Sequence, residues 1–154
     1  MTLLKSYYQL CKPNVVYMML ICAFVGMLLA EQTVSSYSYL FIALTGIALC
    51  AASAAAINQV VDREADASMT RTDQRPLPKG DLSVMHASIF AFVIGLLGAL
   101  ILYLYVNTLT MILTIGSLIG YAFIYTVYLK RATPQNIVIG GAAGAFPPVI
   151  GWTI

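Results

Sequence analysis

Long apolar runs dominate the chain, and its charged residues fall outside them. Apolar runs of about 18 to 25 residues are long enough to cross a hydrocarbon core about 30 Å thick as α-helices. The pattern predicts about five such spans, near 14–30, 37–57, 84–106, 108–129 and 136–154. The connections between them differ in kind. "EQTVSSYS" and the short turn at Val106-Asn107-Thr108 carry no Lys or Arg. Lys5 and Lys12 precede the first run, Arg63, Arg71, Arg75 and Lys79 lie between the second and third, and Lys130 and Arg131 lie between the fourth and fifth. All eight basic residues therefore fall on one side, which the positive-inside rule assigns to the cytoplasm, leaving Ile154 on the outer side.

Composition agrees with an integral membrane protein: 60% of residues are hydrophobic, 9% are charged, and the mean hydropathy is +0.87. The expected fold is therefore an all-α, multi-pass transmembrane helical bundle, read as one membrane domain over residues 1–154. The net charge of +2 follows from the loop asymmetry and gives no reason to expect nucleic acid as a partner. The first run lacks a small-residue cleavage site, and "MTLLKSYYQLCKP" is not an Arg-rich amphipathic leader, so a retained anchor in a bacterial-type inner (cytoplasmic) membrane is expected. Cys11, Cys22 and Cys50 are widely spaced and read as packing residues rather than a disulfide framework or a zinc site. "CAASAAA" at 50–56 and the pairs Gly116/Gly120 and Gly140/Gly144 suit close helix–helix packing in a bilayer.

The stretch "NQVVDREADASMTRTDQRPLPKG" at 58–80 breaks this apolar pattern. On a helix, residues four apart drift by only about 40°, so Asn58, Asp62 and Asp66 share one face as a polar stripe roughly 12 Å long. The second apolar run leads straight into it, which places the stripe at the cytoplasmic end of a span. Two carboxylates and an amide oxygen are hard ligands suited to Mg²⁺, which usually shares its coordination with waters and substrate phosphates. Arg71 and Arg75 offer planar forks for phosphate and Lys79 a mobile charge, while Pro76, Pro78 and Gly80 mark a loop able to bring them back over the stripe. The same spacing also suits a solvated loop with surface charge pairs. Glu64 and Arg63 lie about 160° and 100° from the stripe midline and are excluded from the metal site. Asp73 and Asp81 read as turn or cap residues.

These residues resemble a known family. "N-x-x-x-D-x-x-x-D" followed by "M-x-R-T-x-x-R-P-L-P-x-G" is similar to the first aspartate-rich motif of the UbiA-type intramembrane prenyltransferases, through Asn58, Asp62, Asp66, Met69, Arg71, Thr72, Arg75, Pro76, Leu77, Pro78 and Gly80. Within it the chain looks most like the protoheme IX farnesyltransferase (heme O synthase) branch. Met69 before "RT", Gln59 in place of the Asp usual in quinone-type members, "KP" at Lys12-Pro13 and "GGAAGAFPPVIGW" at 140–152 carry that likeness. The resemblance implies transfer of a farnesyl group from farnesyl diphosphate to a vinyl group of heme B, giving heme O and diphosphate. By the same resemblance, Asn58, Asp62 and Asp66 hold Mg²⁺–diphosphate and Arg71, Arg75 and Lys79 bind the phosphates, Asp62 and Asp66 being the catalytic carboxylates.

Tyr103, Tyr105, Tyr121, Tyr125 and Tyr128 suit the lining of a dry cavity for a carbocation, and equally the interface anchoring usual for tyrosines. His86, the only histidine, carries no ligand assignment. The resemblance also implies a bundle of nine helices with a second aspartate-rich motif, whereas the pattern here supplies about five spans and no acidic residue after Asp81. A partial chain, inactive without a C-terminal half, is the expectation. A quinone-precursor acceptor and a non-catalytic membrane fragment are the alternatives.

Overall fold

The computed structural model of the chain describes residues 3–30, 36–129, 141 and 144–154. The architecture is all-α: α1 (Leu3–Leu10), α2 (Pro13–Leu29), α3 (Tyr37–Ala67), α4 (Val84–Tyr105), α5 (Thr108–Ile119), a π-helical segment (Gly120–Leu129) continuing α5, and α6 (Phe146–Trp152), with no strand among the described residues. Among the described residues α3 and α4 are each long and apolar enough to cross a membrane, and α1 with α2, bent by 45°, makes a third span if counted as one. The starts and ends of α2 and α4 lie close to the predicted spans. The beginning of the fifth predicted span and the stretches 31–35 and 130–140 lie outside the described residues.

Each helix start has a local cause. Ser36, Ser83 and Asn107 take extended backbone and accept hydrogen bonds from the amides of Ser38 (3.2 Å), His86 (3.2 Å) and Thr110 (2.7 Å). Pro13 and Pro147 occupy the first turns of α2 and α6, where a missing N–H is harmless. The break between α1 and α2 falls at Lys12, whose φ of 49° and ψ of 61° lie in the left-handed region. α1 itself was not anticipated: eight residues beside a proline are too few to register as an apolar run.

At 31 residues α3 is about 46 Å long, while about 20 residues cross the hydrocarbon core. Counted from Tyr37, the membrane ends near residue 57, so the helix carries Asn58 to Ala67 beyond it as one rigid rod. α3 packs along α4 through small residues. A Cβ added at Gly98 would come within 2.8 Å of both the Cys50 Sγ and the Gly46 carbonyl, and Ser53 Oγ donates to the Ala91 carbonyl at 2.7 Å. α2 and α6 approach equally closely, with Gly26 against the Pro148 carbonyl and Gly151 against the Ala23 carbonyl. In lipid such seams are held by van der Waals contact, which small side chains permit. Among the described residues an added Cβ at Gly116, Gly120 or Gly144 would meet nothing within 4 Å, and Gly140 lies outside the described residues. Spacing tells which residues share a face but not whether a helix lies against it. "CAASAAA" is instead an inward-facing stretch, with Cys50, Ser53, Ala54, Ala55 and Ala56 buried.

Candidate diphosphate and prenyl site

Asn58, Asp62 and Asp66 follow one another on the emerging end of α3 and are all 5–6% exposed. Polar groups buried this deeply need partners. Asn58 Nδ2 donates to Asp62 Oδ2 at 3.0 Å and to Thr126 Oγ1 at 3.2 Å, and its Oδ1 accepts from the Lys12 ammonium. Thr126 in turn donates to the Tyr121 carbonyl at 2.8 Å, a bond reaching back five residues across the wide turn of the π-helical segment. Asp66 accepts from Arg75 Nη1 at 2.6 Å, and its backbone carbonyl accepts from Thr72 Oγ1 at 3.0 Å.

The loop after α3 turns back for reasons visible in its own residues. The Thr72 and Asp73 amides donate to the Met69 carbonyl, each at 2.9 Å, and the Asp81 amide to the Pro76 carbonyl at 2.9 Å. Gly80 takes a φ of 79°, open to glycine at little cost. Leu77 and Leu82 are buried with Leu10, Ala56, Ala87 and Ala91, pinning the loop to the bundle. Pinned there, it sets Arg71 and Arg75 beside Lys12 around a pocket of about 260 Å³ completed by Gln9, Gln59 and Gln74. Lys79 is exposed and does not line this pocket.

Lys12 also lines a second, mainly apolar cavity of about 240 Å³ between α2, α3, α5 and α6, with Val16, Met19, Ala54, Leu118 and Tyr121 among its walls. That volume lies just below the range of about 300–1,000 Å³ usual for ligand pockets. Tyr121 stacks on Tyr125 with ring centroids 5.5 Å apart. Tyr103 and Tyr105 are exposed near the end of α4, away from the cavity, and the side chain of Tyr128 lies outside the described residues.

The residues excluded from the metal site stand apart. Arg63 and Glu64 pair with each other at 2.9 Å on the exposed face of α3. His86 is exposed and contacts Ser83 Oγ through Nδ1 at 2.8 Å, as part of the α4 cap. Asp73 and Asp81 sit in the turns, each with one buried oxygen that has no partner among the described residues. Four residues around the stripe were not marked as site residues by the sequence reading: Lys12, valued there as an orientation charge and for "KP", Gln59, Thr72 and Thr126. Lys12 carries a local signal, a lysine next to a proline at the mouth of an apolar run, and Gln59 and Thr72 fall within the motif, whereas Thr126 carries none.

No cluster of three His, Cys, Asp or Glu side chains suited to a metal occurs among the described residues. The donor set still suits Mg²⁺: two carboxylates and an amide, all hard oxygens, fall short of a protein-only cage and match an ion that draws its remaining ligands from water and phosphate.

Comparison with known proteins identifies relatives of the chain. The chain is 57% identical to protoheme IX farnesyltransferase 2 of Pseudoalteromonas atlantica over 97% of its length and 49% of the relative's. It is 57% identical to protoheme IX farnesyltransferase of Vibrio vulnificus (strain YJ016) and 56% identical to that of Shewanella oneidensis, over 97% of this chain and 50% of each relative. The chain thus spans about half the length of the curated relatives it matches. No solved structure matches it significantly. The UbiA prenyltransferase family profile matches residues 19–154, and the chain belongs to that family.

Proposed function

We propose that the paired pockets bind a prenyl diphosphate as its Mg²⁺ complex, and that the protein to which residues 1–154 contribute transfers a farnesyl group to the terminal carbon of a vinyl group of heme B, water then adding to the adjacent cation with loss of a proton, giving heme O and diphosphate. The observation that carries the first part is the position of Lys12 in the walls of both a cationic pocket and an apolar cavity. A polyanionic head joined to a hydrocarbon tail has the same two-part character. The acceptor rests on the relatives named protoheme IX farnesyltransferase and on the likeness at Met69, Gln59 and 140–152.

In this reading Asn58, Asp62 and Asp66 would hold Mg²⁺, which when bound would supply positive charge beside the diphosphate. Arg71, Arg75 and Lys12 meet the phosphate oxygens, and Lys79 contributes a more distant charge. As the allylic C–O bond breaks, its electron pair passes to the diphosphate. Cations already in place stabilise that charge more in the transition state than in the ground state. Arg75 hands its bond with Asp66 over to phosphate as the ligand arrives. The allylic cation left behind is sheltered from water by the apolar wall and faces Tyr121, whose ring supplies electron density. The site faces the cytoplasm from a bacterial inner membrane, where soluble prenyl diphosphate is available. Residues 1–154 act as one part of a longer membrane domain, and by themselves they insert without turnover, since the curated relatives are about twice as long.

The test is extraction of heme from cells carrying the full-length enzyme and its Asp62→Ala variant. Farnesylated heme in the first and none in the second is the expected result. Prenylated hydroxybenzoate without farnesylated heme would overturn the acceptor, and equal product from the variant would overturn the site.

A further inference from the structure

Gln59 is not one of the candidate ligands, yet it is among the most deeply buried polar residues, at 2% exposed. Its Nε2 donates to two successive backbone carbonyls, of Gln9 at 3.1 Å and of Leu10 at 2.9 Å. Those carbonyls close α1. The last carbonyls of a helix have no partner within it and must find one elsewhere. The Gln9 carbonyl also accepts from the Lys12 amide at 3.2 Å, whereas the Leu10 carbonyl receives only Gln59 among the bonds described. The orientation leaves Gln59 Oε1 buried with no partner among the described residues, so the two carbonyl bonds decide which way the amide faces.

Two residues after this clamped end lies Lys12, in a left-handed backbone conformation that a side chain beyond Cβ rarely adopts unless its surroundings impose it. The preceding residue on α3, Asn58, receives the Lys12 ammonium. One turn of α3 therefore grips the α1–α2 hinge twice, by the backbone just before Lys12 and by the tip of its side chain.

We propose that Gln59 is a positioning residue for the anion pocket: its amide ties off the end of α1 and thereby sets the Lys12 ammonium where the cationic pocket meets the apolar cavity. The proposal rests on reading that pocket as the diphosphate site. Gln59→Glu is nearly isosteric but sets a carboxylate against two carbonyl oxygens, so the hinge opens and Lys12 leaves Asn58. Gln59→Met removes the donor without adding charge and serves if the glutamate variant fails to accumulate.

The experiment is a double-mutant cycle on the full-length protein in nanodiscs, with farnesyl diphosphate and Mg²⁺ as the probe and equilibrium affinity as the readout. Gln59→Glu and Lys12→Met are each expected to weaken binding about tenfold. Because one acts through the other, the double variant binds within about twofold of Lys12→Met alone. Under turnover, Gln59→Glu raises KM more than it lowers kcat. A purely structural role would instead reduce the amount of folded protein, leave the affinity of the remainder unchanged, and give additive losses; that result overturns the proposal, as does wild-type affinity in both Gln59 variants. Labelling of the half-buried Cys11 beside the hinge by a water-soluble maleimide gives a second readout that needs no ligand. Faster Cys11 labelling in Gln59→Glu supports the clamp, and an unchanged rate refutes it. If the wild-type protein fails to bind farnesyl diphosphate, the diphosphate reading falls, and the labelling rate still decides whether Gln59 holds the hinge.

Discussion

The two ends of α3 use one spacing for different purposes. Positions 46, 50, 54, 58, 62 and 66 follow at intervals of four, and all six are buried. The first three are Gly, Cys and Ala; the last three are Asn, Asp and Asp. A drift of about 40° per step carries the stripe about 200° around the helix, so its ends face different neighbours. Gly46 and Cys50 lie against Gly98 of α4, while Asn58 and Asp66 meet Lys12, Thr126 and Arg75. In the first half burial is satisfied by the absence of side chain, in the second by partners brought from three other parts of the chain. At Gly46, added atoms would strike α4, whereas at Asn58, Asp62 and Asp66 removed atoms would leave buried polar partners unsatisfied.

Four predictions would break or sharpen that contrast. The largest effect is expected from Asp62→Ala or Asp66→Ala in the full-length enzyme, with turnover reduced about 10²–10³-fold or more and folded yield little changed. Heme extraction and size-exclusion profiles measure the two separately, and a collapse of yield alone would put both carboxylates in the structural class. Next comes Gly98→Leu, which forces a side chain against the Cys50 Sγ and the Gly46 carbonyl; overpacking of this kind destabilises by about 1–3 kcal/mol. Thermal unfolding in detergent reports it, and the surviving protein should bind farnesyl diphosphate normally.

Arg71→Ala and Arg75→Ala should each raise KM for farnesyl diphosphate about tenfold, with Lys79→Ala changing it less, because Lys79 lies outside the pocket lining. An equal effect at 79 would mean that general loop charge, not the pocket, attracts the ligand. Smallest is Glu64→Ala, which breaks an exposed pair with Arg63 and should shift stability by less than about 1 kcal/mol and leave turnover unchanged.

Much of this was legible in the sequence, for reasons that differ by residue. The starts of α2, α3 and α4 follow from apolar runs flanked by Pro13, Ser36 and Ser83, and the stripe from a four-residue spacing that a helix converts directly into a face. Arg71 and Arg75 were recoverable because Pro76, Pro78 and Gly80 announce a reversal. The Lys12 contact was not, since Asn58 lies 46 residues away and nothing local encodes that distance. Thr126 sits in an apolar run where a hydroxyl gives no hint of its partner, and its reach depends on a π-helical turn that periodicity at 3.6 residues cannot show. Gln59 stood out by type but not by role, since an amide next to the stripe says nothing about the end of a different helix.

The contact between Gly26 and Pro148 has a consequence for how the chain is made. These two residues are separated by more than a hundred positions, while the α3–α4 seam joins close neighbours in sequence. At a synthesis rate of about 5–20 residues per second, α2 waits on the order of ten seconds in the bilayer before α6 exists to meet it. Throughout that interval a glycine notch shaped for a backbone carbonyl stays open to lipid or to any other small-residue helix within reach. The α3–α4 hairpin can close between consecutive helices, whereas the Gly26 face of α2 meets its carbonyl partner only once α6 has been made.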